Sequence, residues 1–253
     1  MFTADDRERI RERVFALARA DARATGGAVT GSGAVDELDR WSDVDTSFGI
    51  ADGVEPEAVL DDWTAELEQD PGVVHWWDLR HGPTIYRVLL MPGELELNIA
   101  ATPARDFGAV GPKFRLVFGE SVDRPPAPPP DLALLIGWGW LYVLSARTAI
   151  GRGRVWQAER YVTEVRNHAL ALACVRHGEP PAYARGVDRL PADVLAPYEE
   201  ALVRSVYEAE LRRALVASAE LFLGELAATD APLADRLRDP VRAAAGGHPQ
   251  NRS

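Results

Sequence analysis

The sequence predicts an α+β protein: a mixed sheet with helices over the first 120 residues, then an all-α helical bundle. Three observations carry this. Short β-like runs bounded by Gly and Pro turn signals fill the first half. Residues 121–131, SVDRPPAPPPD, hold five prolines within six positions and can continue neither a helix nor a central strand. Beyond them, apolar residues recur at helical spacing almost to the C-terminus. These observations place a mixed domain at 1–120, a stiff linker at 121–131, a helical domain at 132–242 and a disordered tail at 243–253.

Residues 4–24 read as an amphipathic helix, with Ile10, Val14, Leu17 and Ala18 on one side and Gly26-Gly27 as its stop. A short apolar piece, Ala28 to Thr30, runs into Gly31-Ser32-Gly33, and residues 34–39 could form a short helix. Val44–Ile50 reads as a strand, and 55–69 as a helix that stops at Asp70-Pro71-Gly72. Three runs follow at hairpin distances, Val73–Leu79, Thr84–Met91 and Leu95–Ala100, with turn signals at His81-Gly82-Pro83 and Pro92-Gly93. A fourth, Phe114–Phe118, ends at Gly119. In the second half, 131–150, 155–177 and 197–227 read as helices. The last is one long helix with Leu202, Val206, Ala209, Val216, Leu223 and Leu226 inward.

Composition limits the function classes. Net charge is −11 with no clear basic cluster, which argues against nucleic acid and suits a cationic partner as well as plain solubility. Lys113 is the single lysine, so phosphate contacts would fall mainly to Arg, backbone N–H groups or metal. The single cysteine, Cys174, excludes an internal disulfide and a cysteine-based zinc site. The N-terminus lacks the apolar stretch of a signal peptide, and no run is expected to reach bilayer length, so the expected location is the cytoplasm, away from membrane.

The chemistry concentrates in Gly31-Ser32-Gly33-Ala34 and, eight residues later, Ser42-Asp43-Val44-Asp45. Asp43 and Asp45 are two apart at the start of a strand and so share a face. Two carboxylates that close repel unless a cation lies between them, and hard oxygen ligands suit Mg²⁺. Glu96 lies on the face of its run opposite Leu95, Leu97 and Ile99, together with Glu94 and Asn98. Beside the Asp pair it would complete a site for two ions roughly 3.5–4 Å apart, and it could take a proton as general base. The Gly-Ser-Gly turn lets backbone N–H groups approach a phosphate, and Ser32 can donate a hydroxyl.

The stretch GSGAVDELDRWSDVDTSF resembles the Gly-Ser and Ser-Asp-x-Asp signature of the DNA polymerase β-like nucleotidyltransferases, over about residues 20–120. With its helical second half, the whole chain looks like the two-domain nucleotidyltransferases that modify antibiotics, above all aminoglycosides. The resemblance implies that Asp43 and Asp45 hold two Mg²⁺ ions, that Gly31 and Ser32 hold the triphosphate, and that Glu96 is the third carboxylate. It implies transfer of a nucleoside monophosphate, from ATP or another nucleotide triphosphate, to an acceptor hydroxyl. The helical domain would then bind the small-molecule acceptor, with the cleft between the domains holding both substrates. Many relatives carry Arg shortly after Gly-Ser, where this chain has Val35; Arg40, Arg87, Arg105, Lys113 and Arg147 are the candidates to replace it, Arg40 first. Glu stands at position 96 where many relatives have Asp.

Plainer readings stand beside these. Asp43 and Asp45 could be a helix cap and a turn residue, and Glu96 a solvated strand residue. Of Trp76 and Trp77, which face opposite ways, one belongs to the core and the other could line an acceptor pocket; Trp41 could stack on a base or sugar. Trp138, Trp140 and Trp156 read as helix-packing residues, Glu159 and Glu164 as a solvated face or partners of Arg160 and Arg166, and His168 as structural. Two other functions compete: modification of a protein or RNA, as in toxin–antitoxin nucleotidyltransferases, and a silent nucleotide-binding protein. Monomer and homodimer both fit the sequence.

Overall fold

The computed structural model, which describes residues 2–246, opens on a capping box. Asp6 N donates to Thr3 Oγ1 and Thr3 N donates to Asp6 Oδ2, starting α1 (Ala4–Ala20). The helix ends at Ala20, short of the expected 24, because Asp21 leaves the helical conformation; its carboxylate accepts from Arg23 and from Trp63 Nε1. Gly26-Gly27 therefore does not stop α1 but lies inside β1 (Ala24–Thr30). A Cβ on Gly27 would come within 2.4 Å of the Phe118 ring and 2.9 Å of Phe48, so the missing side chain lets those rings close over the strand.

The remaining elements of this unit are β2 (Val44–Ile50), α2 (Pro56–Gln69), β3 (His75–His81), β4 (Thr84–Met91), β5 (Leu95–Pro103) and β6 (Phe114–Gly119). The expected helix at 34–39 is absent: a 3₁₀ turn at Gly31–Ala34 gives way to an irregular segment with Asp36 at positive φ. β3 begins and ends two residues later than expected, paired with β4 from His75 to His81. The six strands run in the order β3-β4-β5-β2-β1-β6, with β2 and β5 parallel and every other neighbour antiparallel.

α1 and α2 pack on one face of this sheet. The sequence alternates to match: Ile85, Arg87, Leu89 and Met91 of β4 are buried on that face, while Tyr86 and Leu90 face out. Phe15, Phe48, Trp63 and Phe118 meet there, three of their contacts edge to face at 5.0–6.4 Å and the Phe48–Phe118 pair tilted at 6.5 Å. Arg87 is fully buried on the same face. It donates to Asp78 at 2.7 and 2.8 Å and to Thr64 at 3.0 Å, pairs with Asp61 at 2.9 Å, and lies 3.9 Å from the Trp76 ring. Burial alone would lower its pKa, but the bonds to Asp78 and Asp61 outweigh burial and raise it.

The chain divides between Pro128 and Pro129, inside the proline-rich segment, and the second unit is helical. It consists of α3 (Leu132–Gly151), α4 (Val155–Arg176), α5 (Ala192–Glu200), α6 (Glu208–Thr229) and α7 (Ala231–Gly246). α4 packs between α3 and α6, and Arg176 of α4 grips Glu225 of α6 through two bonds of 2.8 and 2.9 Å. The architecture is therefore a mixed sheet with helices followed by an all-α unit, the α+β class the sequence predicts.

Several expectations for this unit are corrected. The long helix at 197–227 is two helices. Residues 201–207 leave the helix, and α6 side chains take up the freed groups: Arg213 donates to the carbonyls of Glu200 and Leu202, and Arg204 N donates to Glu210. Leu202, Ala209 and Val216 are exposed, and Leu211, Leu215, Ala219 and Phe222 fill the core instead. Trp138 and Trp156 are exposed rather than packed, Trp138 stacking on Tyr142 at 5.4 Å. The tail expected to be disordered from 243 is helical to Gly246; the rest of it, 247–253, lies outside the described residues. Finally, α3 is long and apolar enough to cross a membrane by length and composition, because Arg147 is its single charge, though no run was expected to reach that length. Its buried side, including Ile136, Val143 and Ala146, packs into the helical core.

Replacing Arg87 with Met should destabilise the first unit by about 3–5 kcal/mol, because Asp78 keeps a largely buried charge without a partner. Urea unfolding followed by tryptophan fluorescence checks this, and a loss below about 1 kcal/mol would mean the pair carries little of the fold.

Candidate active site

β2 and β5 run parallel with Val44 opposite Leu97 and Asp45 opposite Asn98. One step back, the same register sets Asp43 beside Glu96. Alternation then turns Asp43, Asp45, Glu96 and Asn98 to the face of the sheet away from α1 and α2. Thr46 Oγ1 locks the pairing by donating to the Asn98 carbonyl at 2.9 Å.

On that face one atom gathers the site. Asn98 Nδ2 lies 3.2 Å from Asp43 Oδ2, 3.0 Å from Asp45 Oδ1 and 3.0 Å from Glu96 Oε1. Two amide hydrogens thus serve three carboxylates. Burial, then the charges of Asp45 and Glu96, push the Asp43 carboxyl up to about 6. Among the described residues no three His, Cys, Asp or Glu side chains are closed up as a metal cage. The carboxylates are spaced around an amide nitrogen, and oxygen ligands of this type are ones that a hard cation such as Mg²⁺ accepts.

Gly31 is built into the same cluster. It sits at φ +61, and a Cβ there would lie 1.9 Å from Asp45 Oδ2. The Gly-Ser-Gly turn and the second aspartate are thus in direct contact, and the turn can come this close because position 31 has no side chain. Ser32 is half-buried in the 3₁₀ turn, its carbonyl accepting from Glu37 N. On the other side, Asp39 and Ser42 bond each other and brace the loop before Asp43: the Ser42 hydroxyl donates to Asp39 Oδ1, which also accepts from Trp41 N. Those bonds, Trp41 N first, hold the Asp39 carboxyl below its usual range. Arg7 of α1 latches the same loop through the carbonyls of Asp39 and Ser42. Sequence reasoning missed Arg7 and treated Asn98 as a neighbour on Glu96's face. The signal for Asn98 was its two-residue spacing from Glu96; Arg7 lies 32 residues from its partner and left none.

The cationic candidates separate. Arg87 points to the helix side and is consumed by Asp78, Asp61 and Thr64. Arg40 is exposed on the loop, with its guanidinium 4.3 Å from the Trp41 ring. Arg105 pairs with Asp52. Arg147 belongs to α3, in the second unit. Lys113 pairs with Glu37 and lines a pocket of 290 Å³ on the carboxylate face of the sheet. Thr30, Ser47, Thr84 and Thr102 form its hydroxyl-rich floor under the loop at 106–114, with Arg124 at its edge. Ser47 follows Asp45 by two residues on one face, so the pocket opens about 7 Å along the strand from the carboxylates. In the second unit, Glu159 accepts from Thr163, Arg160 pairs with Glu164, and His168 Nδ1 bonds the Glu164 carbonyl.

The raised pKa of Asp43 has a consequence for stability. Its folded value lies above the ordinary 3.8, so the ionised group costs the fold stability above about pH 6. That cost relaxes as pH falls through 6 and is gone below 3.8. In chelator, Asp43→Asn should melt higher than wild type at pH 7.5, with the difference vanishing by pH 3.8. Equal melting at pH 7.5 would show that burial and the charges of Asp45 and Glu96 do not strain Asp43.

No protein-family model matches the chain, and no curated protein matches it. Among solved structures, an aminoglycoside 6-adenyltransferase from Bacillus subtilis is similar at 13% identity and a TM-score of 0.43, over 98% of this chain and 100% of that one. A likeness that remote says nothing about what this chain does.

Proposed function

We propose that the chain is a Mg²⁺-dependent nucleotidyltransferase that moves a nucleoside monophosphate, AMP from ATP as the first candidate, to the hydroxyl of a small acceptor. The observation that carries this reading is the convergence of Asp43, Asp45 and Glu96 on one amide nitrogen, with Gly31 packed against Asp45. Asp43, Asp45 and Glu96 are the residues that would hold Mg²⁺, and Asn98 would turn with its amide as the ion takes its place. Bound Mg²⁺ would supply charge neutralisation on the attacking and leaving oxygens.

The protein's own groups carry the rest. Backbone N–H groups of the Gly31–Ala34 turn and the Ser32 hydroxyl bind the triphosphate. The hydroxyl-lined pocket beside Ser47 suits ribose and base, with Lys113 and exposed Arg40 within the same unit as further phosphate partners. Glu96, the most exposed of the three carboxylates, accepts the proton of the acceptor hydroxyl. The freed oxygen attacks the α-phosphorus in line; the new O–P bond forms as the bond to pyrophosphate breaks. The chain's acidity suits a cationic acceptor such as an aminoglycoside, and the fold's setting would be the cytoplasm.

The test is pyrophosphate release by the purified protein with Mg²⁺ and each nucleotide triphosphate, across a panel of hydroxyl-bearing antibiotics. Release should require one acceptor class. It should fall at least about 100-fold in Asp45→Asn and in Gly31→Ala, whose new methyl group displaces the Asp45 carboxylate. Release that persists in Asp45→Asn, or no release with any acceptor, would overturn the reading.

A further inference from the structure

The face that holds the carboxylates continues across β4 to the sheet edge at β3, and its character changes there. Val88 pairs with Asn98 and Leu90 with Glu96, so apolar side chains begin one strand away from the cluster, about 5 Å. The next strand sets Trp77 beside Val88 and Leu79 beside Tyr86. Trp77 is 54% exposed, Leu79 50%, Leu90 45% and Tyr86 38%. These residues form one continuous apron that ends at the carboxylates.

The apron carries no acid and no Lys or Arg. The charged residues of β3 and β4 alternate to the other side: Asp78 and Arg87 bond each other beneath the sheet, and Arg80 pairs with Glu57 of α2. A fully polar polycation would find no carboxylate counter-charge on this surface outside the three carboxylates themselves, and among its side chains only the Tyr86 hydroxyl and the flanking His75 could bond it. Two aromatic rings and two aliphatic side chains instead favour a flat or apolar body. Two strand spacings, about 10 Å, separate Trp77 from Asn98, which is the reach of a small molecule with a ring at one end and a hydroxyl at the other.

We infer that the β3–β4 apron binds the acceptor, and that the acceptor is a hydroxyl-bearing molecule with an aromatic or aliphatic face rather than a fully polar polycation. This rests on the transfer proposed above, and it replaces the aminoglycoside-type acceptor suggested by net charge with one that has an apolar face. Trp77 and Leu79 hold the apolar body, Tyr86 stands between it and the hydroxyl-lined pocket, and the hydroxyl projects over Leu90 and Val88 towards Glu96. The apron also adjoins the free edge of β3, so a second copy of the chain is the rival occupant.

Three hydroxyl compounds serve as probes for the full-length protein: phenyl β-glucoside, methyl β-glucoside and 2-deoxystreptamine. Their binding is measured by titration in Mg²⁺, with ATP binding and sedimentation followed on the same samples. The wild type should bind the phenyl glucoside about tenfold tighter than the methyl glucoside. Trp77→Ala and Leu79→Ser, both at exposed positions, should each cut that ratio to about twofold or less, with ATP binding unchanged and Trp77→Phe restoring it. A phenyl preference that survives both variants, a preference for 2-deoxystreptamine, or a dimer that Trp77→Ala turns to monomer without affecting probe binding would each overturn the inference. Failure of the transfer reading looks different: ATP binding would be lost while the Trp77-dependent phenyl preference remained.

Discussion

The parallel pairing of β2 with β5 sets the position of the three clustered carboxylates on the open face. A one-residue slip would turn Asp45 and Asn98 into the core and Thr46 and Ile99 out of it. The buried residues hold the register: Val44, Thr46 and Phe48 on β2 and Leu97 and Ile99 on β5 are all essentially inaccessible. Hydrophobic burial on the helix side therefore specifies the geometry of polar groups on the other. The electrostatic cost on that face is borne by the packing beneath it, and part of it shows as the raised pKa of Asp43.

The two faces of the sheet use charge in opposite ways. Beneath, Arg87 is buried but fully partnered by two carboxylates, a hydroxyl and an indole ring, so a buried charge becomes part of the packing. Above, three acids share the hydrogens of one amide. Burial and the crowding of like charge there show in the raised pKa of Asp43, and that crowding is the feature on which the proposed cation site rests. Gly31 ties the phosphate-type turn into the same cluster through its contact with Asp45, so turn and carboxylates cannot be altered independently.

Much of this was legible in the sequence because it is local. The Gly-Ser-Gly turn, the aspartates two apart on a strand, the hairpin signals at Gly82 and Gly93 and the alternation in Leu95–Ile99 each follow from short-range pattern. What was missed is long-range. Gly26-Gly27 reads as a helix stop, yet serves a strand crowded by Phe118 and Phe48. Arg87 reads as a phosphate candidate, yet its fate is decided by Asp78 and Asp61 on two other elements. The break at 201–207 keeps helical apolar spacing and is stabilised by Arg213 and Glu210 from the next helix. Spacing within β5 puts Asn98 on the face of Glu96, but its meeting with Asp43 and Asp45 depends on the pairing with β2.

The central claim is that Asp43, Asp45 and Glu96 form a cation site whose place Asn98 Nδ2 takes. Titration with Mn²⁺ followed by electron paramagnetic resonance, with and without ATP, tests it most directly. The account requires Mn²⁺ to bind wild-type protein, more tightly with ATP, to be displaced by Mg²⁺, and to be lost in Asp45→Asn while the fold is retained. Mn²⁺ binding that is absent in the wild type, or equal in wild type and Asp45→Asn, would contradict it.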